Sequence, residues 1–224
     1  MTEIKICGIT SPRDALAAAE AGADAVGFIF HRPSPRFITP ERAREIVRSL
    51  PPGTASVGVF VDRDPGEVEA VRSFCGLDFV QLHGREPISA VRRFPPERVI
   101  RAVNGPRDEA LDRLRSLAGL VRAVLVDAST KDLPGGTGLR SDWDLAREAG
   151  RQFPVLLAGG LSCENVEEAL SAVSPAGVDV NSGIEISPGV KDRRLLRRIV
   201  ELVKRKGGGG REKIFAPAAQ RRES

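Results

Sequence analysis

The chain has 224 residues, 41% hydrophobic and 29% charged, which supports a sizeable core and excludes a disordered polypeptide. Its net charge is +4, of which Arg211, Lys213, Arg221 and Arg222 against Glu212 and Glu223 contribute +2, so the rest of the chain carries only +2. With aromatics at 4%, arginines scattered among acidic residues, no run of roughly 18 uncharged apolar residues and no leader pattern after Met1, neither a nucleic-acid nor a membrane partner is expected.

In chain order, β-rich apolar runs alternate with amphipathic segments. Strand patterns cover 4–9, 25–30, 55–61, 79–83, 99–103, 123–127, 155–158 and 178–180. Helical patterns cover 13–21, 40–49, 66–74, 87–93, 107–118, 142–150, 163–172 and 191–205. Ser11-Pro12 and Thr39-Pro40 each place a capping hydroxyl before a proline at the first helical position. Unalternated strands such as Ala123-Val124-Leu125-Val126 imply a parallel sheet covered on both faces. Eight βα units in about 200 residues predict an α/β fold, a (β/α)8 TIM barrel forming a single catalytic domain over 1–206, rather than an open doubly wound sheet. Gly207 to Gly210 and the polar stretch to Ser224 show no hydrophobic period, so 207–224 is expected to be a flexible tail outside the fold.

In such a barrel the chemistry belongs at the C-terminal ends of the strands. Cys7 closes the first strand; most buried cysteines are inert, but at this position a thiol with cationic neighbours lowering its pKa can serve as base or nucleophile. Asp127 ends the sixth strand after four apolar residues, and is either a cap for the next loop or the partner of Cys7 in an acid and base pair. Arg36 sits on a loop stiffened by Pro33 and Pro35, as a solvated side chain or as a fork for a carboxylate. Phe37 packs on a substrate ring or staples the following helix. Gln81 and His83 alternate into the barrel, where they orient substrate or pair within the core, and His31 has no partner at metal-ligand spacing. Gly159-Gly160, after strand seven, and Asp179-Val180-Asn181-Ser182-Gly183, ending strand eight, stand where this fold cradles phosphate, although such glycines also serve tight turns. Cys7, Cys75 and Cys163 form no CxxC pair or metal-type spacing, which suits a reducing cytoplasm.

Over nearly all of residues 3–205 the sequence resembles the phosphoribosylanthranilate isomerase family of tryptophan biosynthesis. The matching words are Lys5-Ile6-Cys7-Gly8-Ile9-Thr10, Gly22-Ala23-Asp24-Ala25-Val26-Gly27-Phe28, Ser34-Pro35-Arg36, Val57-Gly58-Val59-Phe60-Val61, Val80-Gln81-Leu82-His83-Gly84, Leu125-Val126-Asp127, Gly135-Gly136-Thr137-Gly138, Ala158-Gly159-Gly160-Leu161 and Val178-Asp179-Val180-Asn181-Ser182-Gly183-Ile184-Glu185. Their order and spacing together are specific.

The resemblance implies an Amadori rearrangement of N-(5'-phosphoribosyl)anthranilate, with Asp127 as acid, Cys7 as base and Arg36 on the anthranilate carboxylate. Gly159, Gly160, Ser182 and Gly183 would bind the phosphate; apart from the resemblance, Gln81, His83 and Asp179 are further candidate substrate contacts by their places on strands four and eight. It implies no metal or organic cofactor, and the sequence is compatible with a monomer or homodimer. Two features depart from the family: Asn181 stands where many members have serine, and the glycine-rich tail has no counterpart. A related isomerase of the histidine pathway would carry two aspartates, whereas strand one ends in Cys7; a silent scaffold would have lost the acid or the base.

Overall fold

The structure is a computed structural model that describes residues 1–127, 138–206 and 212–215, with side chains from Trp143 onward in the middle segment. Gly135 to Thr137 of the matching words, and 207–211 and 216–224 of the tail, lie outside the described residues.

Eight parallel strands close a barrel in sequential order: β1 (Glu3–Ile6), β2 (Ala25–Ile29), β3 (Ala55–Phe60), β4 (Phe79–Leu82), β5 (Val99–Val103), β6 (Ala123–Asp127), β7 (Val155–Ala158) and β8 (Gly177–Val180). The ring shuts where β1 pairs with β8 in the register Lys5 to Asp179. Outside run α1 (Pro12–Glu20), α2 (Pro40–Ser49), α3 (Pro65–Cys75), α4 (Ile88–Val91), α5 (Arg107–Ser116), α6 (Gly138–Ala149), α7 (Val166–Val173) and α8 (Arg193–Lys206). The starts of α1 and α2 follow the sequence signals: the Ser11 hydroxyl accepts from the Asp14 amide and the Thr39 hydroxyl from the Arg42 amide.

Two apolar clusters divide the strands by parity. Ile4, Ile6, Val80, Leu82, Val124 and Val126 pack with helix residues in the larger one. Ala25, Ala55, Val57, Phe79, Ile100, Ala102, Ala123, Leu125, Leu156 and Ala158 form the second, which contains no residue of α1 to α8 and so fills the barrel. A residue two places from a member of either cluster on the same strand shares its direction.

Two expectations are corrected. The helical pattern over 191–205 in fact begins at Arg193, because a hairpin of β9 (Glu185–Ser187) and β10 (Val190–Lys191) intervenes. The expected tail does not lie wholly outside the fold: Ile214 and Phe215 are buried in the inner cluster, with Phe215 meeting the edge of the Phe79 ring at 5.7 Å. Their amides donate to the Glu3 carboxylate, and Arg122 donates to the Ile214 carbonyl, so this short turn plugs the barrel at the N-terminal ends of β1 and β4. Two apolar residues form no period, but inside a barrel floor they need only fill a hole.

Candidate active site

On β1, Ile4 and Ile6 face the helices, so Glu3 and Lys5 face inward and Cys7 extends that row to the barrel mouth. The Cys7 amide donates to the Val180 carbonyl at 2.9 Å, which ties the thiol-bearing residue to β8. Directly below, Lys5 is fully buried and its Nζ donates to both Asp179 carboxylate oxygens at 2.9 Å. A Cβ on Gly27 of β2 would lie 2.9 Å from the Cys7 Sγ and 3.2 Å from the Lys5 Nζ, so sulfur and ammonium share the notch left by that missing side chain. The Cys7 thiol differs from expectation: burial first, and then the Asp179 charge, push it above the ordinary thiol range, while Lys5 and Lys191 oppose them.

Arg36 reaches the same mouth from the loop after β2. Its Nε and Nη2 donate to Glu185 at 2.9 and 2.6 Å, and Lys191 of β10 donates to Glu185 at 2.9 Å and to the Asn181 side chain at 3.0 Å. Burial alone would raise the Glu185 carboxyl, but hydrogen bonds from Arg36 and Lys191 hold it below its ordinary value. Gly8, at φ 72°, lies underneath: a Cβ there would come within 2.6 Å of the Asn181 Oδ1 and 2.8 Å of the Arg36 Cδ. Phe37 takes Arg32 over its ring, 5.6 Å from the centroid, at the entrance to α2.

On the far side, Asp127 ends β6 and its Oδ2 is 4.0 Å from the His83 Nε2, both side chains being about a quarter exposed. The Gln81 amide nitrogen lies 2.9 Å from the His83 Nδ1. An amide nitrogen only donates, so as placed it makes Nδ1 the acceptor and leaves the Nε2 proton toward Asp127. Burial lowers the His83 pKa, against the pull of the Asp127 charge.

Between these groups lie two glycine loops. Gly159 and Gly160 follow β7 with φ of 96° and 62°, in the left-handed region that favours glycine. Asn165 closes that loop, donating to the Gly160 carbonyl and accepting from the Ser162 amide, both at 2.9 Å. Gly183, after β8, bridges to Ser162, and any side chain there would overlap the Leu161 carbonyl. Ser182 is exposed beside it. Among the described residues no group of three or more His, Cys, Asp or Glu side chains could hold a metal ion.

The chain matches the family described as PRAI: N-(5'phosphoribosyl)anthranilate (PRA) isomerase over residues 4–202. It belongs to that family. A phosphoribosylanthranilate isomerase from Syntrophus aciditrophicus is 48% identical over 211 residues, covering 93% of this chain and 90% of its own. One from Geobacter sulfurreducens is 47% identical, covering 91% of this chain and 99% of its own. The crystal structure of the Thermotoga maritima phosphoribosylanthranilate isomerase aligns with a TM-score of 0.82 at 40% identity, over 91% of this chain and 99% of that one. A family structure in complex with reduced 1-(o-carboxyphenylamino)-1-deoxyribulose 5-phosphate aligns at 0.79 with 39% identity, with the same coverage.

Three further residues whose side chains contact these groups carry no role in the sequence reading: Lys5, Glu185 and Lys191. Inward parity with Cys7 on β1 marks Lys5, since a lysine two residues below a strand-end cysteine must enter the barrel. Glu185 and Lys191 depend on the short hairpin, for which no strand pattern was read.

Proposed function

We propose that the protein converts N-(5'-phosphoribosyl)anthranilate to 1-(2-carboxyphenylamino)-1-deoxyribulose 5-phosphate by general acid and base catalysis, in tryptophan biosynthesis. The observation that carries this reading is positional: Asp127, the two glycine loops and Cys7 stand at the ends of β6, β7, β8 and β1, four consecutive strands of one mouth. A ribose phosphate held by the loops therefore lies between a carboxyl group and a thiol.

In this reading the substrate nitrogen pushes its lone pair into C1', the bond from C1' to the ring oxygen breaks, and Asp127 protonates that oxygen. Cys7, as thiolate, then removes the C2' proton; the C–H electrons form the C1'–C2' double bond and the iminium pair returns to nitrogen. The enolamine loses its hydroxyl proton and gains one at C1', giving the ketone. Arg36 holds the anthranilate carboxylate, and Gly159, Gly160, Ser182 and Gly183 hold the phosphate. Gln81, His83 and Asp179 floor the pocket, with His83 directing a proton at Asp127. No metal or organic cofactor enters, because the substrate nitrogen is the electron sink. We place the enzyme in the cytoplasm as a monomer or homodimer; the Thermotoga maritima relative is described as dimeric.

The test follows the loss of anthranilate-derivative fluorescence on mixing purified protein with fresh substrate. The parent should turn over, and Cys7→Ala and Asp127→Ala should each lose about 10²–10⁴-fold in kcat. Binding of phosphate ligands without turnover by the parent would overturn the assignment.

A further inference from the structure

A base must be ionised to act, and the surroundings of Cys7 oppose ionisation through burial and the carboxylate of Asp179. We propose that Lys5 is a positioning residue of the reaction, an ammonium clamped by Asp179 that holds positive charge against the Cys7 sulfur and stabilises its thiolate. This rests on the reading of Cys7 as the base.

The clamp explains how an ammonium survives inside the barrel. A fully buried lysine without a counter-charge gives up its proton, but the two 2.9 Å bonds to Asp179 keep it charged. An ammonium has three donors, and two are spent on that carboxylate. The third remains, and Nζ and the sulfur both border the Gly27 notch. Replacing a buried ion pair by apolar residues is often neutral for stability, so the pair beneath the thiol is weak evidence of a purely structural role.

The other charged groups near Cys7 are Asp179 on β8, Lys191 on β10 and Arg36 on the loop after β2, while His83, just after β4, feels both Lys5 and Asp179. Lys191 and Arg36 already donate to Glu185. On ionisation the thiol proton passes to water; the thiolate takes the C2' proton and returns as thiol; Lys5 keeps its protons throughout.

The experiment titrates Cys7 directly. The chain has no tyrosine, so in a Cys75→Ala/Cys163→Ala background the far-ultraviolet thiolate absorbance reports Cys7 alone. Cys75 must go because burial pushes its thiol up to about 11, within the titrated range. Lys5→Met should move the Cys7 inflection up by about 1–3 pH units, and Asp179→Asn should move it down, because the thiolate then becomes the counter-charge that keeps Lys5 ionised. The double Lys5→Met/Asp179→Asn variant should fall between the two. Should Lys5→Met fail to fold, the double variant must still titrate above Asp179→Asn. An inflection that ignores the loss of Lys5, or moves in one direction for both charges, overturns the proposal. The rising limb of kcat/KM should shift in step with the absorbance. Full activity in Cys7→Ala would instead remove the base assignment, while the titration would still decide the effect of Lys5 on the sulfur.

Discussion

Arg36 presents its Nε and Nη2 edge to Glu185, so Nη1 and the second Nη2 proton form the remaining edge, which the proposed reading gives to the substrate carboxylate. Glu185 therefore aims the guanidinium without occupying all of it. Glu185→Gln weakens a charge-assisted bond, and KM should rise roughly ten-fold while kcat changes less, as steady-state kinetics would reveal. Arg36→Lys should do the same by losing the fork. The carboxyl of Glu185 is held below its ordinary value, so its contribution is present above the unfolded pKa and is lost as pH falls through the lower folded one. Amide exchange across 185–191 should accelerate in that acid window, and Glu185→Gln should abolish the pH dependence. Residues of this kind escape a linear reading. Cys7 and Asp127 stand out because polar groups end apolar strands, whereas Lys5 acquires its meaning from Asp179, 174 positions away.

At the scale of elements, β5, β6 and β7 have the boundaries their patterns predict, whereas β1 runs Glu3–Ile6 against an expected 4–9, β3 stops at Phe60 against 61 and β4 at Leu82 against 83. The hairpin was not legible, since strands of three and two residues carry no period, and the strong amphipathic pattern of α8 extends over Lys191. Helix α4 is shorter than expected, Ile88–Val91, because Pro95 and Pro96 soon follow. The turn leaving β1 is the most constrained of these junctions. Gly8→Ala forces a left-handed backbone on alanine and drives a methyl group into Asn181 and Arg36. It should cost about 1–3 kcal/mol in denaturant unfolding. Because Arg36 is displaced, kcat/KM should fall as well, a loss that a purely structural turn would not produce.

For the whole molecule, the barrel has a chemical face and a sealed face. The plug of Ile214 and Phe215 lies at the sealed one, so Phe215→Ala should remove about 3–5 kcal/mol of stability and leave kcat nearly unchanged at temperatures where the variant is folded. A thermal melt paired with kinetics checks this; a drop in kcat without a drop in stability would contradict the division of faces. The barrel itself was readable from the eight-fold alternation, since every unit repeats the same local rule. The plug was not, because its partners are Phe79 and Glu3 and its sequence context is polar.

That plug also sets an order of events during synthesis. Glu3 emerges first, yet the amides of Ile214 and Phe215 that satisfy it are made 211 and 212 residues later. Until then the floor of the nascent barrel must stay hydrated, because a carboxylate shut away without donors is costly. The first strand of this protein reaches its final environment only after every other strand has been made.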